Sequence, residues 1–118
     1  MLKPLKIGTS SFGLMVINGK EYRSDLIIHP YGRVEDSWWR KNGHRLTADD
    51  INGLIESAPE VIIVGTGVNG MLRPAPGLAE LLSEKEIELI PLPNQKAVER
   101  FNKLSSEKKV GACFHLTC

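Results

Sequence analysis

The stretch Val61-Ile62-Ile63-Val64-Gly65-Thr66-Gly67-Val68-Asn69-Gly70 decides how this chain is read. Its first four residues are all β-branched, and a strand with one solvated face would instead alternate with polar residues. The run therefore predicts a strand buried on both faces, as in a parallel sheet covered by helices. A loop with three glycines follows at once, where backbone can approach a ligand or another segment closely. Gly65, Thr66, Gly67, Asn69, Gly70 and the nearby Arg73 are accordingly the candidate ligand-binding residues.

The loop has the form G-x-G-x-x-G, but the dinucleotide fingerprint also needs a helix that opens inside the loop and points its free N–H groups at the pyrophosphate. Pro74 and Pro76 follow here, and proline suits a helix's first turn, so the helix opens near residue 76, several residues late. Glu88 lies at roughly the spacing of the ribose-binding acid, but at the start of its strand rather than the end. A tight turn or an anion pocket fits the loop better than a nucleotide fold.

Upstream, Met15-Val16-Ile17 and Lys20-Glu21-Tyr22 flank Asn18-Gly19, a dipeptide that tolerates the positive φ angles of a two-residue hairpin turn. Leu26-Ile27-Ile28 reads as a third strand and Val34 to Arg40 as a fourth. Trp38 and Trp39 must face opposite ways on such a strand, one into the core and one outward. Thr47-Ala48-Asp49-Asp50 has the form of a capping box with Asp in place of Glu. Ile51, Leu54, Ile55 and Ala58 then form one helical stripe that ends at Pro59. After the central strand come a helix carrying Leu78, Leu81 and Leu82 and a strand from Ile87 to Pro91. A third helix follows, with Asn94 as N-cap and Ala97, Phe101 and Leu104 inward. Val110 to Phe114 is the last strand.

From residue 47 the order is αβαβαβ, which packs as three layers around a largely parallel sheet. The expected architecture is α/β, three-layer, with a mixed central sheet and an N-terminal β-hairpin region, in one domain spanning residues 1–118. The expected core is Leu54, Val61 to Val64, Leu81, Leu82, Ile90, Phe101 and Val110 to Phe114.

Composition narrows the function classes. With 42% hydrophobic residues, 118 residues suffice for one real core and not for two. A net charge of +1 supplies no bulk attraction to nucleic acid or an anionic membrane. No apolar run approaches the ~20 residues of a spanning helix. Met1-Leu2-Lys3-Pro4-Leu5-Lys6-Ile7-Gly8 contains no apolar region of a signal peptide, so a cytoplasmic location is expected. The two cysteines, Cys113 and Cys118, would close only a trivial loop and are expected to be reduced.

Those cysteines frame His115 in a C-x-H-x-x-C spacing. Thiolate and imidazole are zinc ligands, but structural sites need four, and His29 and His44 stand alone in the sequence. No metal and no cofactor are therefore expected. A Cys/His nucleophile pair lacks a visible orienting third group. Arg40, Arg73 and Arg100 are the cations suited to gripping a carboxylate or phosphate. No HExxH, phosphate-binding GKS/T loop or nucleophile elbow occurs, so no catalytic residue is assigned.

Several features recur together: Ser11-Phe12-Gly13 before the hairpin, Trp38-Trp39-Arg40, Gly65-Thr66-Gly67 after an apolar strand, and Pro74 before a helix. Ala97-Val98-Glu99-Arg100-Phe101-Asn102 in the last helix and the ending His115-Leu116-Thr117-Cys118 complete the set. From about Ile7 to the end, the chain resembles the family that includes the adipogenesis-associated Mth domain-containing protein and the mitochondrial complex I assembly factor 3. The resemblance implies a compact α/β fold with a mixed sheet. It transfers no catalytic residue and implies assembly through protein contacts. Variation at the middle residue of G-x-G in that family leaves the backbone, not the Thr66 side chain, as the candidate there.

Two readings follow. One is a non-enzymatic protein-interaction domain, with Trp38, Trp39 and Arg40 as its candidate surface and an unidentified protein partner. The other is a small-molecule or anion-binding protein, or an enzyme, built on loop 65–70.

Overall fold

In the computed structural model, which describes residues 5–118, the chain opens on an antiparallel sheet of β1 (Ile7–Ser11), β2 (Leu14–Ile17) and β3 (Lys20–Tyr22). Residues 1–4 of the expected leaderless start lie outside the described residues. Asn18 and Gly19 join β2 to β3 with φ of 48° and 82°, the positive pair that a two-residue turn requires. Alternate residues of β2, Met15 and Ile17, turn inward and are buried.

β4 (Leu26–Ile28) and β5 (Val34–Glu35) come next. The expected fourth strand is cut short because Ser37 takes a φ of 54° and turns the chain. The adjacent tryptophans nonetheless divide: Trp38 is buried and Trp39 is 77% exposed. β6 (Arg45–Leu46) precedes a 3-10 turn over Ala48–Ile51 and the short α1 (Asn52–Glu56). The Asp50 carboxylate accepts bonds from the Thr47 N–H and hydroxyl, each 2.9 Å, which fixes the entry to this segment.

The central strand is β7 (Val61–Gly65), followed by β8 (Arg73–Pro74), α2 (Leu78–Glu84), β9 (Glu88–Leu92), α3 (Asn94–Leu104) and β10 (Val110–Phe114). The main sheet runs β5-β4-β10-β7-β9. β7 pairs in parallel with both β10 and β9, while β4 is antiparallel to its neighbours β10 and β5. The sheet is thus mixed, and β6 and β8 form a separate parallel pair.

Every residue of β7 and β10 is buried, as the unbroken apolar run requires. Val61, Ile63, Ala112 and Phe114 face a cluster with Ala97 and Phe101 of α3 and with Ile7, Met15 and Ile17 of the first sheet. Ile62, Val64 and Cys113 face the opposite cluster, with Leu54 of α1 and Leu78 and Leu82 of α2. Fully burying an aliphatic side chain of this size stabilises the fold by roughly 1.5–3 kcal/mol.

Two core expectations need correction. Leu81 is exposed, because α2 lies against the edge strand β9 and buries only its Leu78–Leu82 row. Ile90, on that same edge strand, is only half-buried.

Candidate functional site

From β7 the chain crosses by α2 on one face to β9, then by α3 on the other face to β10. The connections leaving the carboxyl ends of the neighbouring strands β7 and β9 therefore run over opposite faces of the sheet, an edge where open α/β sheets commonly hold ligands. The glycine loop lies here, as expected. Its space is filled by the chain itself.

Residues 115–118 leave β10 and lie against the loop. Thr66 N–H bonds the Leu92 carbonyl at 2.9 Å, Gly67 N–H the Asn94 Oδ1 at 3.0 Å and Val68 N–H the Thr117 carbonyl at 2.7 Å. Gly70 N–H reaches the Gly67 carbonyl at 3.3 Å, and Met71 N–H the Cys118 carbonyl at 3.0 Å. A β-carbon on Gly65 would strike the Phe114 ring and Asn94 Oδ1, and one on Gly67 would strike the Cys118 backbone. Gly67 also holds a φ of 107°, outside the range of ordinary side-chain-bearing residues. The glycines here accommodate close packing, Asn69 is exposed, and Arg73 projects outward from β8.

Asn94 is the clamp between the two segments. It begins α3 instead of capping it by its own side chain, because that side chain has other partners. Buried at 2% exposure, it accepts from Gly67 N–H and donates to the His115 carbonyl at 2.8 Å.

Beside it lies a polar cluster that only the fold assembles. The β4–β10 register pairs Leu26 with Phe114, and its continuation sets Asp25 opposite His115. Asp25 Oδ2 lies 2.8 Å from His115 Nδ1 and accepts from Arg40 Nη1 at 2.8 Å, while Oδ1 accepts from the Leu116 N–H at 2.7 Å. His115 Nδ1 also lies 3.1 Å from Arg40 Nη2, but the shorter contact is to a carboxylate, which can only accept, so Nδ1 carries the proton and in the neutral ring Nε2 keeps the lone pair. Burial pushes the Asp25 pKa up, but the Leu116 N–H, His115 and Arg40 together outweigh it and hold the carboxyl below its ordinary 3.8.

Arg40 is itself buried. It donates to the Gly43 carbonyl at 3.0 Å and stacks its guanidinium 4.6 Å from the centre of the Trp38 ring. Trp38 donates its indole N–H to the Asp50 carbonyl at 2.9 Å. Of the segment expected to form a partner surface, then, Trp38 and Arg40 are internal because both have polar partners inside, and Trp39 alone is outside.

The two cysteines separate. Cys113 is fully buried within the α1/α2 face, and desolvation pushes its thiol up to about 12, which disfavours the thiolate. Cys118 instead meets His44, whose Nε2 lies 3.4 Å from Sγ, and His115, whose Nε2 lies 3.9 Å away. His44 is not isolated after all. Its carbonyl accepts the Arg73 N–H at 2.9 Å, so the β6–β8 pair carries it to the glycine loop.

On the far side of the loop, a groove of about 260 Å³ is lined by Ser10, Phe12, Val68, Pro93, Asn94 and Gln95, among others. Phe12, at the β1–β2 turn, is 65% exposed and Val68 43%.

The sequence model of a family described as "Protein of unknown function (DUF498/DUF598)" matches residues 7–115. The chain belongs to that family. Solved structures agree with the assignment, which is the Mth938-like grouping that the order of motifs suggested. A conserved hypothetical protein, PH1505 from Pyrococcus horikoshii, is 31% identical, with a TM-score of 0.82 over 96% of this chain and 99% of its own. The protein MT938 is 30% identical, with a TM-score of 0.81 over 97% and 99%. A protein described as an outer membrane protein from Bartonella henselae is 28% identical, with a TM-score of 0.79 over 99% and 97%. Among the described residues of this DUF498/DUF598 member, no helix is long and apolar enough to cross a membrane.

Asp25 escapes the sequence reading, and His44 is set aside there as isolated. Neither carries a local signal: each joins the cluster through a contact across 90 or 74 residues of chain.

Proposed function

We propose that this DUF498/DUF598 domain works by binding a protein partner and not by catalysis. The groove at the carboxyl edge carries the reading. An aromatic side chain is held out on a tight turn, beside the exposed Val68 and above a floor of uncharged polar groups. Burying such an anchor in a partner's pocket is how a small surface gains most of its affinity. The occupant is an uncharged, apolar segment of a protein chain, since the named groove residues carry no charge.

Affinity capture from the source cells with the parent chain and with Phe12→Ser/Val68→Ser tests this. A protein retained by the parent and lost from the double variant supports the reading, and Trp39→Ser in parallel shows whether that indole contributes. Equal capture by the parent and the double variant rejects the groove.

A second reading, a small anion held beside loop 65–70, draws on one observation. The Ser10 hydroxyl at the groove is buried without a hydrogen-bond partner. A thermal-shift series with phosphate and small carboxylates, followed by chemical-shift mapping, separates the readings: a response centred on Ser10 and Gln95 favours the anion.

A further inference from the structure

His44, His115 and Cys118 come from two distant parts of the chain, yet one ligand atom from each lies within 4.8 Å of the other two. The two sulfur–nitrogen spacings fit one particular chemistry, and the two imidazole nitrogens, within 4.8 Å of each other, need only draw together to about 3.3 Å by rotation of the exposed His44 ring. With Zn–S about 2.3 Å and Zn–N about 2.0–2.1 Å, a tetrahedral zinc ion sets sulfur and nitrogen about 3.6 Å apart. Here Cys118 Sγ lies 3.4 Å from His44 Nε2 and 3.9 Å from His115 Nε2.

The surroundings suit ligation as well. Asp25 accepts from His115 Nδ1, which leaves Nε2, on the Cys118 side of the ring, free to ligate. A carboxylate behind the imidazole in this way both orients a metal-binding histidine and raises its basicity. Thr117 Oγ1, 3.4 Å from the same nitrogen, is a rotatable hydroxyl. The two less buried ligands are held by backbone bonds: Arg73 N–H of β8 fixes His44, while the Val68 and Met71 N–H groups of the preceding loop fix Thr117 and Cys118. His115 is buried, Cys118 half-buried and His44 exposed, so one side of the cluster faces solvent.

We propose that His44 Nε2, His115 Nε2 and Cys118 Sγ bind one zinc ion, with water in the fourth, solvent-facing position. Binding displaces the Cys118 thiol proton to solvent and forms the Zn–S bond to the resulting thiolate. One thiolate and two imidazoles match the softness of zinc, whereas magnesium and calcium require oxygen ligands. The site is independent of the groove, so its failure leaves the protein-binding reading intact.

The test uses the full chain, reduced, stripped of metal and titrated with Co²⁺. The expected result is one Co²⁺ per chain, with sulfur-to-cobalt charge-transfer absorption and the visible bands of tetrahedral cobalt, displaced by one equivalent of Zn²⁺. Cys118→Ser should abolish the charge-transfer band, while Cys113→Ala should retain it. His44→Ala should weaken binding by at least about 100-fold, beyond the loss typical of an outer-shell change. Circular dichroism of each variant confirms that it folds. No charge-transfer band at millimolar Co²⁺, or an unchanged band in Cys118→Ser, overturns the proposal.

Discussion

Two glycine-bearing turns in this molecule look alike in sequence and act differently. Asn18-Gly19 closes a hairpin whose strands are its immediate neighbours, and nothing lies within 4 Å of where a β-carbon on Gly19 would sit. Gly65-Thr66-Gly67 also follows a strand, but Phe114, Asn94 and Cys118 occupy the places where its side chains would go. The first turn needs glycine for its own φ. The second needs it because 115–118, brought in by the last strand, must lie against it. A glycine cluster is therefore a statement about close approach, and sequence alone does not say what approaches.

Breaking the second turn should have the larger effect. Gly67→Ala forces a β-carbon into the Cys118 backbone at a φ of 107°. Left-handed strain of roughly 1–2 kcal/mol adds to overpacking of roughly 1–3 kcal/mol, so a loss of about 2–5 kcal/mol is expected. Urea unfolding followed by tryptophan fluorescence measures it. A midpoint within error of the parent would mean that the C-terminal segment does not pack on the loop in solution.

How much of this was legible follows the same division. The β7 strand could be read from its unbroken β-branched run, the hairpin from Asn18-Gly19 and the Ala97/Phe101 face of α3 from its helical spacing, while Trp38 and Trp39 divide as expected although the strand assumed for them ends at Glu35. Such patterns report only on a residue's near neighbours. Leu81 shows their limit, since its helical spacing is right but the sheet beneath α2 ends too soon. Asp25, His44 and the filling of the glycine loop depend on strand register and on the return of β10 to β7. His44 reaches the C-terminal residues only through the β6–β8 pair, which no local pattern announces.

Acid should probe the carboxyl edge selectively. The folded pKa of Asp25 lies below its ordinary 3.8, so the unfolded chain binds the proton first. Its contribution is therefore present above that ordinary value and is lost as pH falls below 3.8 towards the folded value. In metal-free protein, the stability gap between the parent and Asp25→Asn should be widest at neutral pH and shrink through that window. A gap that stays constant down to pH 2 would show that the Asp25 ion pairs are not formed in the folded state.

The smallest effect should come from the hairpin, and it sharpens the comparison most. In Gly19→Ala the new methyl enters open space, so the cost is limited to holding a φ of 82°, roughly 1–2 kcal/mol. Asn18 already tolerates its own positive φ of 48°, and β2–β3 pairing keeps the turn closed. The carboxyl edge has no contact with this methyl, so chemical shifts of His44, His115 and Asn94 should remain those of the parent. Gly67→Ala, by contrast, should move all three. If Gly19→Ala cost as much as Gly67→Ala, φ alone would account for both glycines. The packing of residues 115–118 against the loop would then contribute little to stability.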